Sequence, residues 1–258
     1  MAFRVANMAA LVKYNSNVSC KFLSNYETFV LDKIRQEESE PTHMTFAPSS
    51  FRCSRCQWFR LRGVEPDVLK NPDAVLNFTA EVGTARHTVI QNNLKELFQE
   101  NWIDVEEFLN DTNNPHDYVC TKSENGLETL IEFKDYPVRF AVDGIVKIDG
   151  EYYLLEIKTS EHNSFADLTD PKPIHIDQVK CYCALLGIKK VLMVYEDRQY
   201  GDLKCYELQM KQYELDDIFK SMDTILEMVQ CNLAPERLPK GDYMCSNCKY
   251  KQKCKDWG

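Results

Sequence analysis

The stretch that decides the fold is Val138–Lys158, which reads VRFAVDGIVKIDGEYYLLEIK. It contains two apolar runs on either side of Asp149–Gly150, a dipeptide that favours a two-residue β-hairpin turn. Pairing the two runs back from this turn puts Asp143 directly opposite Glu156. The same register predicts one continuous apolar face, formed by Phe140, Val142, Val146, Ile148, Tyr153, Leu155 and Ile157. Two independent patterns therefore indicate the same hairpin.

The paired carboxylates of Asp143 and Glu156 need a compensating charge. Directly opposed residues have Cβ atoms about 4.5 to 5.5 Å apart, where two carboxylates repel each other. A divalent cation bound by both would offset this repulsion, and Lys158 adds a positive charge on the same face. The alternative is a solvated polar face on which ionic residues pair by chance, since 28% of the chain is charged.

The composition is that of a globular protein. The chain has 258 residues, of which 44% are hydrophobic, and can bury a substantial core. No apolar run approaches the ~20 residues that a membrane-spanning helix needs, and the first residues lack the pattern of a secretory signal. These features predict a cytoplasmic protein with no membrane partner.

The net charge of −9 argues against a broadly basic nucleic-acid-binding surface, but two local segments are basic. Residues 46–63 contain no acidic residue and four arginines, which are Arg52, Arg55, Arg60 and Arg62. The basic residues of the C-terminal tail are Arg237, Lys240, Lys249, Lys251, Lys253 and Lys255. Both segments also contain clustered cysteines, so each combines positive charge with candidate metal ligands.

Apolar periodicity predicts an α/β fold with a mixed central sheet flanked by helices. Helices are predicted from about residue 18 to 36, from after residue 72 to about 98, from 174 to 186 and from 215 to 231. A hairpin over residues 118–133 is predicted to lead into the Val138–Lys158 hairpin, so that the strands form a meander. Further strands are predicted at 190–195 and 203–208. Gly187 is typical of a helix C-terminus.

The cysteine spacing indicates a metal centre. The chain has 11 cysteines, an odd number, and lacks a secretion signal, which favours reduced thiols or metal ligands over disulfides. The candidates are Cys245-x2-Cys248-x5-Cys254 in the tail and Cys53 and Cys56 upstream. Two cysteines from each segment would bind tetrahedral zinc, whereas one upstream cysteine and three tail cysteines would bind a 4Fe-4S cluster. Spacing alone does not decide between them.

Two helical pairs add candidate site residues. His87 and Gln91 are four residues apart on one face of a predicted helix, and a neutral imidazole with two carboxylates would make a divalent-cation site. A helical histidine is more often a packed or solvated residue. Gln178 and Tyr182 share a face of a later helix, where either could hydrogen-bond a phosphate or stack on a base.

Together these motifs resemble the RecB-like nucleases of the PD-(D/E)xK superfamily, in the iron-sulfur branch shared by AddB-type and CRISPR-adaptation exonucleases. The matching pieces, in the order of the family, are Cys53-x-Arg55-x2-Trp58, Gly83-x3-His87, Asp143, Glu156-x-Lys158, Gln178-x3-Tyr182 and Cys245-x2-Cys248-x5-Cys254. They extend from about Ser49 to the C-terminus. The sequence departs from the pattern at Val142, where the superfamily name has proline, and in the extra Cys56.

The resemblance implies a restriction-endonuclease-like core with a metal centre and a cluster. A Mg²⁺ or Mn²⁺ ion would be bound by His87, Asp143, Glu156 and the Ile157 carbonyl. Lys158 would help to activate the attacking water, and Gln178 with Tyr182 would complete the catalytic site and contact the DNA. An iron-sulfur clasp would join the N-terminal and C-terminal segments, with a 4Fe-4S cluster bound by Cys53, Cys245, Cys248 and Cys254.

The implied organisation is a helical extension over residues 1–45 and a nuclease domain over 46–258, in which 46–63 and 240–258 form the cluster subdomain. The expected activity is metal-dependent exonuclease cleavage of DNA, mainly of single strands. It would serve replication, recombination or repair, and the protein could be encoded by a phage. The alternatives are CRISPR spacer-end processing and a non-catalytic nucleic-acid-binding module stabilised by zinc or a cluster. Helicase, recombination or CRISPR-adaptation proteins are the expected partners.

Overall fold

The structure, a computed structural model, describes residues 17–38, 43–67, 74–124, 126–246 and 248–257. The chain divides into two compact units, residues 1–41 with 68–85 and residues 42–67 with 86–258. The helical extension predicted over residues 1–45 falls partly outside the described residues. Its boundary with the remainder of the chain stays a prediction.

The described elements are mixed helices and strands. The helices are α1 (Asn17–Glu38), α2 (Ser54–Leu61), α3 (Ala74–Phe98), α4 (Val105–Asp111), α5 (His162–Ala166), α6 (Pro173–Leu186), α7 (Gln212–Gln230) and α8 (Lys251–Asp256). The strands are β1 (Trp102–Ile103), β2 (Tyr118–Lys122), β3 (Thr129–Phe133), β4 (Val138–Val142), β5 (Gly144–Ile148), β6 (Glu151–Ser160), β7 (Lys190–Asp197) and β8 (Leu203–Gln209). Short 3₁₀ turns span Pro48–Ser50, Gln99–Asn101 and Tyr243–Cys245.

The first unit contains α1 and the part of α3 that ends at Ala85. Lys33 of α1 pairs with Glu81 of α3, and the two charged atoms lie 3.1 Å apart. Both side chains are about half exposed, so this pair contributes little to stability. The helix predicted from residue 18 to 36 is confirmed by α1, and the helix predicted to end near residue 98 by α3.

The second unit is built on two sheets. The larger sheet has the strand order β1-β5-β6-β7-β8, and all its pairs are antiparallel except the parallel pair β6–β7. The smaller sheet is the antiparallel set β2-β3-β4. The predicted mixed central sheet flanked by helices is therefore confirmed. None of the described helices is both long and apolar enough to span a membrane.

The central strand β6 is buried on both faces, which explains its nearly continuous apolar sequence. Leu155 and Ile157 pack with Ile90 of α3 on one face. Leu154 points to the opposite face, into the main core that includes residues of α2, α6 and α7. Side chains alternate between the faces of a strand, so Glu156 lies on the face of Leu154.

The predicted hairpin is correct near its turn and wrong further away. Asp149 and Gly150 both have positive φ, 51° and 84°, as a primed two-residue turn requires. The ladder then runs from Ile148 paired with Glu151 to Gly144 paired with Leu155. Beyond that point β4 leaves the ladder and pairs with β3 in the smaller sheet. The meander is therefore split between two sheets, and Phe140 and Val142 do not share the apolar face of Leu155 and Ile157.

The chain changes sheet at Asp143, between β4 and β5, and the glycine that follows has a packing reason. A Cβ atom built on Gly144 would lie 2.6 Å from the indole of Trp102, closer than side-chain contacts allow. Trp102 belongs to β1, whose backbone pairs with β5. The close approach of this indole therefore requires glycine directly after the acidic residue.

Candidate functional site

The site is centred on Asp143, which is 7% exposed at the junction of the two sheets. The β5–β6 register, continued by one residue, places Glu156 opposite Asp143. The β3–β4 register pairs Thr129 with Val142, and continuing it by one residue places Glu128 on the other side of Asp143. Glu128, directly before β3, and Glu156, within β6, therefore flank Asp143 where the sheets separate.

Hydrogen bonds to its side chain and its backbone fix Asp143. Its Oδ2 atom accepts a hydrogen bond from the backbone N–H of Ile157 at 2.6 Å. Its carbonyl oxygen accepts from the side-chain amide of Gln91 on α3 at 2.9 Å. Because Oδ2 is occupied, Oδ1 is the oxygen that remains oriented toward α3.

His87 reaches the site from α3, as the helical spacing indicated. Its Nε2 atom lies 2.5 Å from the carbonyl oxygen of Ile157, and its Nδ1 atom lies 3.4 Å from Oδ1 of Asp143. Burial disfavours the imidazolium, but the hydrogen bond to Asp143 and the charge of Asp143 outweigh it, so the pKa of His87 is raised. The structure therefore brings together His87, Asp143 and the Ile157 carbonyl.

Glu156 is the most deeply buried carboxylate of the site, at 3% exposure. Its Oε1 atom accepts from Lys158 Nζ at 2.5 Å and from Gln178 Nε2 at 3.1 Å. Burial raises the pKa of Glu156 to about 7, although the neighbouring Lys158 opposes the shift, and the charge of Asp143 adds to it. This carboxylate therefore depends on a nearby positive charge to stay ionised at neutral pH.

Gln178 and Tyr182 lie one turn apart on α6, and both face Glu156. The Gln178 amide also donates to the Tyr182 hydroxyl at 2.7 Å. Tyr182 is 5% exposed and its ring stacks on Phe140, with 4.2 Å between the ring centroids. In this arrangement Tyr182 orients Gln178, and Gln178 orients Glu156. The contact of these two residues with DNA stays a prediction.

The structure adds Glu128, which the sequence analysis did not select. One donor atom each from His87, Glu128 and Asp143 lies within 4.8 Å of the other two, close enough for all three to bind one cation. Burial raises the pKa of Glu128, and the charge of Asp143 adds to the effect. Counting back from the short Lys134–Pro137 turn between β3 and β4 could have identified this residue.

An ion pair that the sequence did not indicate, between Arg86 and Glu196, holds α3 against β7. Arg86 Nε donates to both carboxylate oxygens of Glu196 on β7, at 2.9 and 3.2 Å, and the guanidinium also contacts Oε1 through a second nitrogen. Glu196 is 1% exposed, whereas Arg86 is partly exposed. Since His87 follows Arg86 directly, this ion pair sets the position from which the imidazole reaches Ile157.

We expect Arg86→Ala to lower the free energy of unfolding by about 1 to 3 kcal/mol, because it leaves the buried Glu196 carboxylate without its donor. Chemical denaturation of the purified protein measures this loss. Lys95→Ala is the matched control, since Lys95 is an exposed cation on the same helix. A loss no larger than that of the control would show that Glu196 does not need Arg86.

A separate cavity of about 770 Å³ gathers the clustered cysteines Cys53, Cys56, Cys245, Cys248 and Cys254. Its basic lining residues are Arg55, Arg60, Arg237, Lys240, Lys249, Lys251 and Lys255, and Asp242 is its one acidic lining residue among those described. A hydrogen bond with Cys56 lowers the pKa of Cys248 to about 6, while burial opposes this shift. Burial raises the pKa of Cys53 and of Cys245, and the hydrogen bond with Cys248 together with burial raises the pKa of Cys56. Of these four thiols, Cys248 alone is shifted toward the thiolate, the form that binds metals.

Protein contacts already join the two cysteine-bearing segments. Phe59 of α2 stacks on Tyr250, with ring centroids 5.3 Å apart, and Trp58 packs edge-on against Trp257 at 5.2 Å. Asp67 accepts from the backbone N–H groups of Gln252 and Lys253 in the first turn of α8, and its own N–H donates to the Lys249 carbonyl oxygen at 2.7 Å. The tail is thus packed on α2 through aromatic and backbone contacts.

Comparisons with known proteins give no family assignment. No family model matches the sequence. No curated protein matches it. Among solved structures, the protein SSO0001 superposes with a TM-score of 0.46 and 16% identity, over 87% of this chain and 93% of that one. An alkaline exonuclease from Laribacter hongkongensis, LHK-Exo, gives 0.40 and 15%, over 74% and 90%, and its complex with dAMP gives the same values.

Proposed function

We propose that the protein is a metal-dependent DNA exonuclease that prefers single strands and acts in replication, recombination or repair. One observation carries the proposal. The side chains of His87 and Asp143 meet at the Ile157 backbone, and Glu156, bonded to Lys158, lies opposite Asp143 when the β5–β6 register is continued by one residue. Convergence of carboxylates, an imidazole and a lysine at one small site suits phosphodiester hydrolysis better than it suits a structural polar face.

The residues present fit a divalent cation. His87, Asp143, Glu156 and the Ile157 carbonyl would hold Mg²⁺ or Mn²⁺, since hard cations take oxygen ligands and Mn²⁺ also accepts imidazole. The short contact between His87 Nε2 and the Ile157 oxygen brings a nitrogen donor and an oxygen donor together at one point. When bound, such an ion lowers the pKa of a water molecule and polarises a phosphoryl oxygen.

Lys158 would act on the reacting oxygens. Its ammonium group lies 2.5 Å from Glu156 Oε1 and is partly exposed, so it has donors left for a second partner. It can orient the attacking water or donate to a phosphoryl oxygen whose negative charge increases in the transition state. Gln178 would keep Glu156 aligned for this step through its 3.1 Å hydrogen bond.

The cysteine cavity fits a cluster that joins the two segments. We propose that Cys53, Cys245, Cys248 and Cys254 bind 4Fe-4S, with Cys56 as the alternative to Cys53. Tetrahedral zinc holds its sulfur ligands about 3.8 Å apart, because the Zn–S bond is about 2.3 Å long. In the described part of the chain no three of these thiols lie within 4.8 Å of one another. The choice of a cluster over zinc rests on the resemblance of the cysteine pattern to the iron-sulfur branch.

The basic lining of the cysteine cavity supports a nucleic-acid substrate. Its seven basic side chains oppose a single acidic one among the described residues, although the whole chain carries a net charge of −9. Local positive charge of this kind attracts the phosphates of a nucleic acid whatever its base sequence. A single strand is the preferred substrate in this proposal, because a threaded strand needs a basic path and the two basic cysteine-bearing segments would supply it.

The test is cleavage of end-labelled single-stranded and double-stranded DNA by anaerobically purified protein with Mg²⁺ or Mn²⁺. We expect metal-dependent shortening of the single strand from an end, and no cleavage with EDTA. A circular single strand is the matched substrate, because an exonuclease leaves it intact. A protein that binds the linear strand but does not cleave it with either metal would contradict the nuclease proposal and favour the binding module.

A further inference from the structure

Glu128 is held beside the site by its own backbone. It directly precedes β3, where its N–H donates to the Ser123 hydroxyl and its carbonyl oxygen accepts from that hydroxyl, both at 3.1 Å. The paired register of Thr129 with Val142 then places it next to Asp143. The position of Glu128 therefore follows from the smaller sheet, whereas that of Glu156 follows from the larger one.

The carboxylate of Glu128 lacks the partners that Glu156 has. Glu156 accepts hydrogen bonds from Lys158 and Gln178. The Glu128 side chain, which is half-buried, has no hydrogen bond or ion pair with any described residue. Its donor atom nevertheless lies within 4.8 Å of the donor atoms of both His87 and Asp143. A half-buried carboxylate beside a second carboxylate repels it unless a positive charge lies between them.

We propose that Glu128 is a direct ligand of the divalent cation at this centre, together with His87 and Asp143. The inference rests on the proposed metal site and adds a residue to it. The donor set is one imidazole nitrogen and two carboxylate oxygens from three separate elements, a composition that suits Mn²⁺ or Mg²⁺. Glu156 keeps its place as a ligand in the proposed site, with Lys158 bonded to its Oε1 atom.

The proposal predicts that Glu128→Gln weakens binding of Mn²⁺ at least tenfold. The change removes one charged oxygen ligand while keeping the shape of the side chain. Isothermal titration calorimetry of the full chain with Mn²⁺ alone, without DNA, measures the Kd, and electron paramagnetic resonance of free Mn²⁺ measures it independently. Glu124→Gln is the matched control, since Glu124 is exposed in the same β2–β3 connection. Its Kd should equal that of the wild type.

Failure of this proposal is distinguishable from failure of the proposed function. If Glu128→Gln binds Mn²⁺ within twofold of wild type while Glu156→Gln loses affinity, Glu128 is not a ligand and the original site stands. If Glu128→Gln loses affinity but the wild type cleaves no DNA, the ligand assignment stands and the nuclease proposal fails. Thermal melting of each variant without metal shows that a lost affinity is not a lost fold.

Discussion

Lys158→Ala is expected to lower the rate of DNA cleavage about 10²- to 10⁴-fold, the range for removal of a group that assists proton transfer. Lys158 Nζ lies 2.5 Å from Glu156 Oε1, so the variant removes both the donor for the reacting oxygens and the counter-charge of a buried carboxylate. The affinity for single-stranded DNA should change little, because one ammonium group contributes a small part of the total phosphate contact. Single-turnover cleavage of end-labelled DNA measures the rate, and fluorescence anisotropy measures the affinity.

Two further variants separate chemistry from folding. Lys147→Ala removes a lysine from the neighbouring strand β5, where it lies 5.1 Å from the ring of Tyr152, and should cleave at the wild-type rate. Lys158→Arg keeps the charge beside Glu156 and should keep the fold while losing much of the rate. A Lys158→Ala protein that is folded and cleaves like the wild type would contradict the role of Lys158, and would do so independently of the metal assignment.

Turn residues and helix-terminating residues in the sequence correctly predicted the elements whose geometry depends on neighbouring residues alone. The Asp149–Gly150 turn formed as expected, because these two residues tolerate the positive φ that a primed turn needs. Helix α6 ends at Leu186 and is followed by Gly187, which has φ of 73°. Helix α4 was missed although its signal is present, since Asp104 accepts from the N–H groups of Glu106 and Glu107. A helix of seven residues depends on packing, so its periodicity is too short to detect.

The change of sheet at Asp143 could not be predicted from alternation. The apolar residues alternate with polar ones in the same way before and after Asp143. The sequence therefore looks the same whether β4 and β5 both pair with β6 or belong to two different sheets. What separates them is the approach of Trp102 to Gly144, a contact between distant parts of the chain. Glu156 and Lys158 lie on one face of β6, and Gln178 lies on α6. The apolar periodicity of the sequence predicted this strand and this helix, and the structure brings the three side chains together.

The two missed contributions to the site depend on strand pairing and helix packing, which the residue types alone do not report. Glu128 reaches Asp143 only because β3 pairs with β4 in a fixed register. Arg86 meets Glu196 because α3 packs over the face of β7 that carries Glu196. In both cases the residue type is ordinary for its surroundings, and only the tertiary arrangement gives it a role. Clusters that cross between sheets are therefore the part of a site that sequence reasoning finds last.

Replacement of a tail cysteine is expected to remove the cluster and release the C-terminal segment. A cluster would tie Cys53 to Cys254 across most of the chain, and closing so long a loop stabilises the folded state by about 5 kcal/mol in the disulfide analogy. Cys254→Ser should therefore lose iron and sulfide, lose the visible absorption of the cluster, and become sensitive to proteolysis near its C-terminus. DNA binding should fall with it, because the basic residues of the tail would no longer line the cavity.

The cysteines themselves supply the controls. Cys231 is exposed on the C-terminal side of α7 and is not part of the cavity lining, so Cys231→Ser should keep its iron. Cys53→Ser and Cys56→Ser identify the fourth ligand, since only the true ligand should lose iron as Cys254→Ser does. The aromatic contacts of Tyr250 and Trp257 with α2 would hold part of the tail even without a cluster. An iron-free protein that keeps full activity and a protease-resistant tail would contradict the cluster proposal. It would mean that the aromatic contacts alone hold the C-terminal tail on α2.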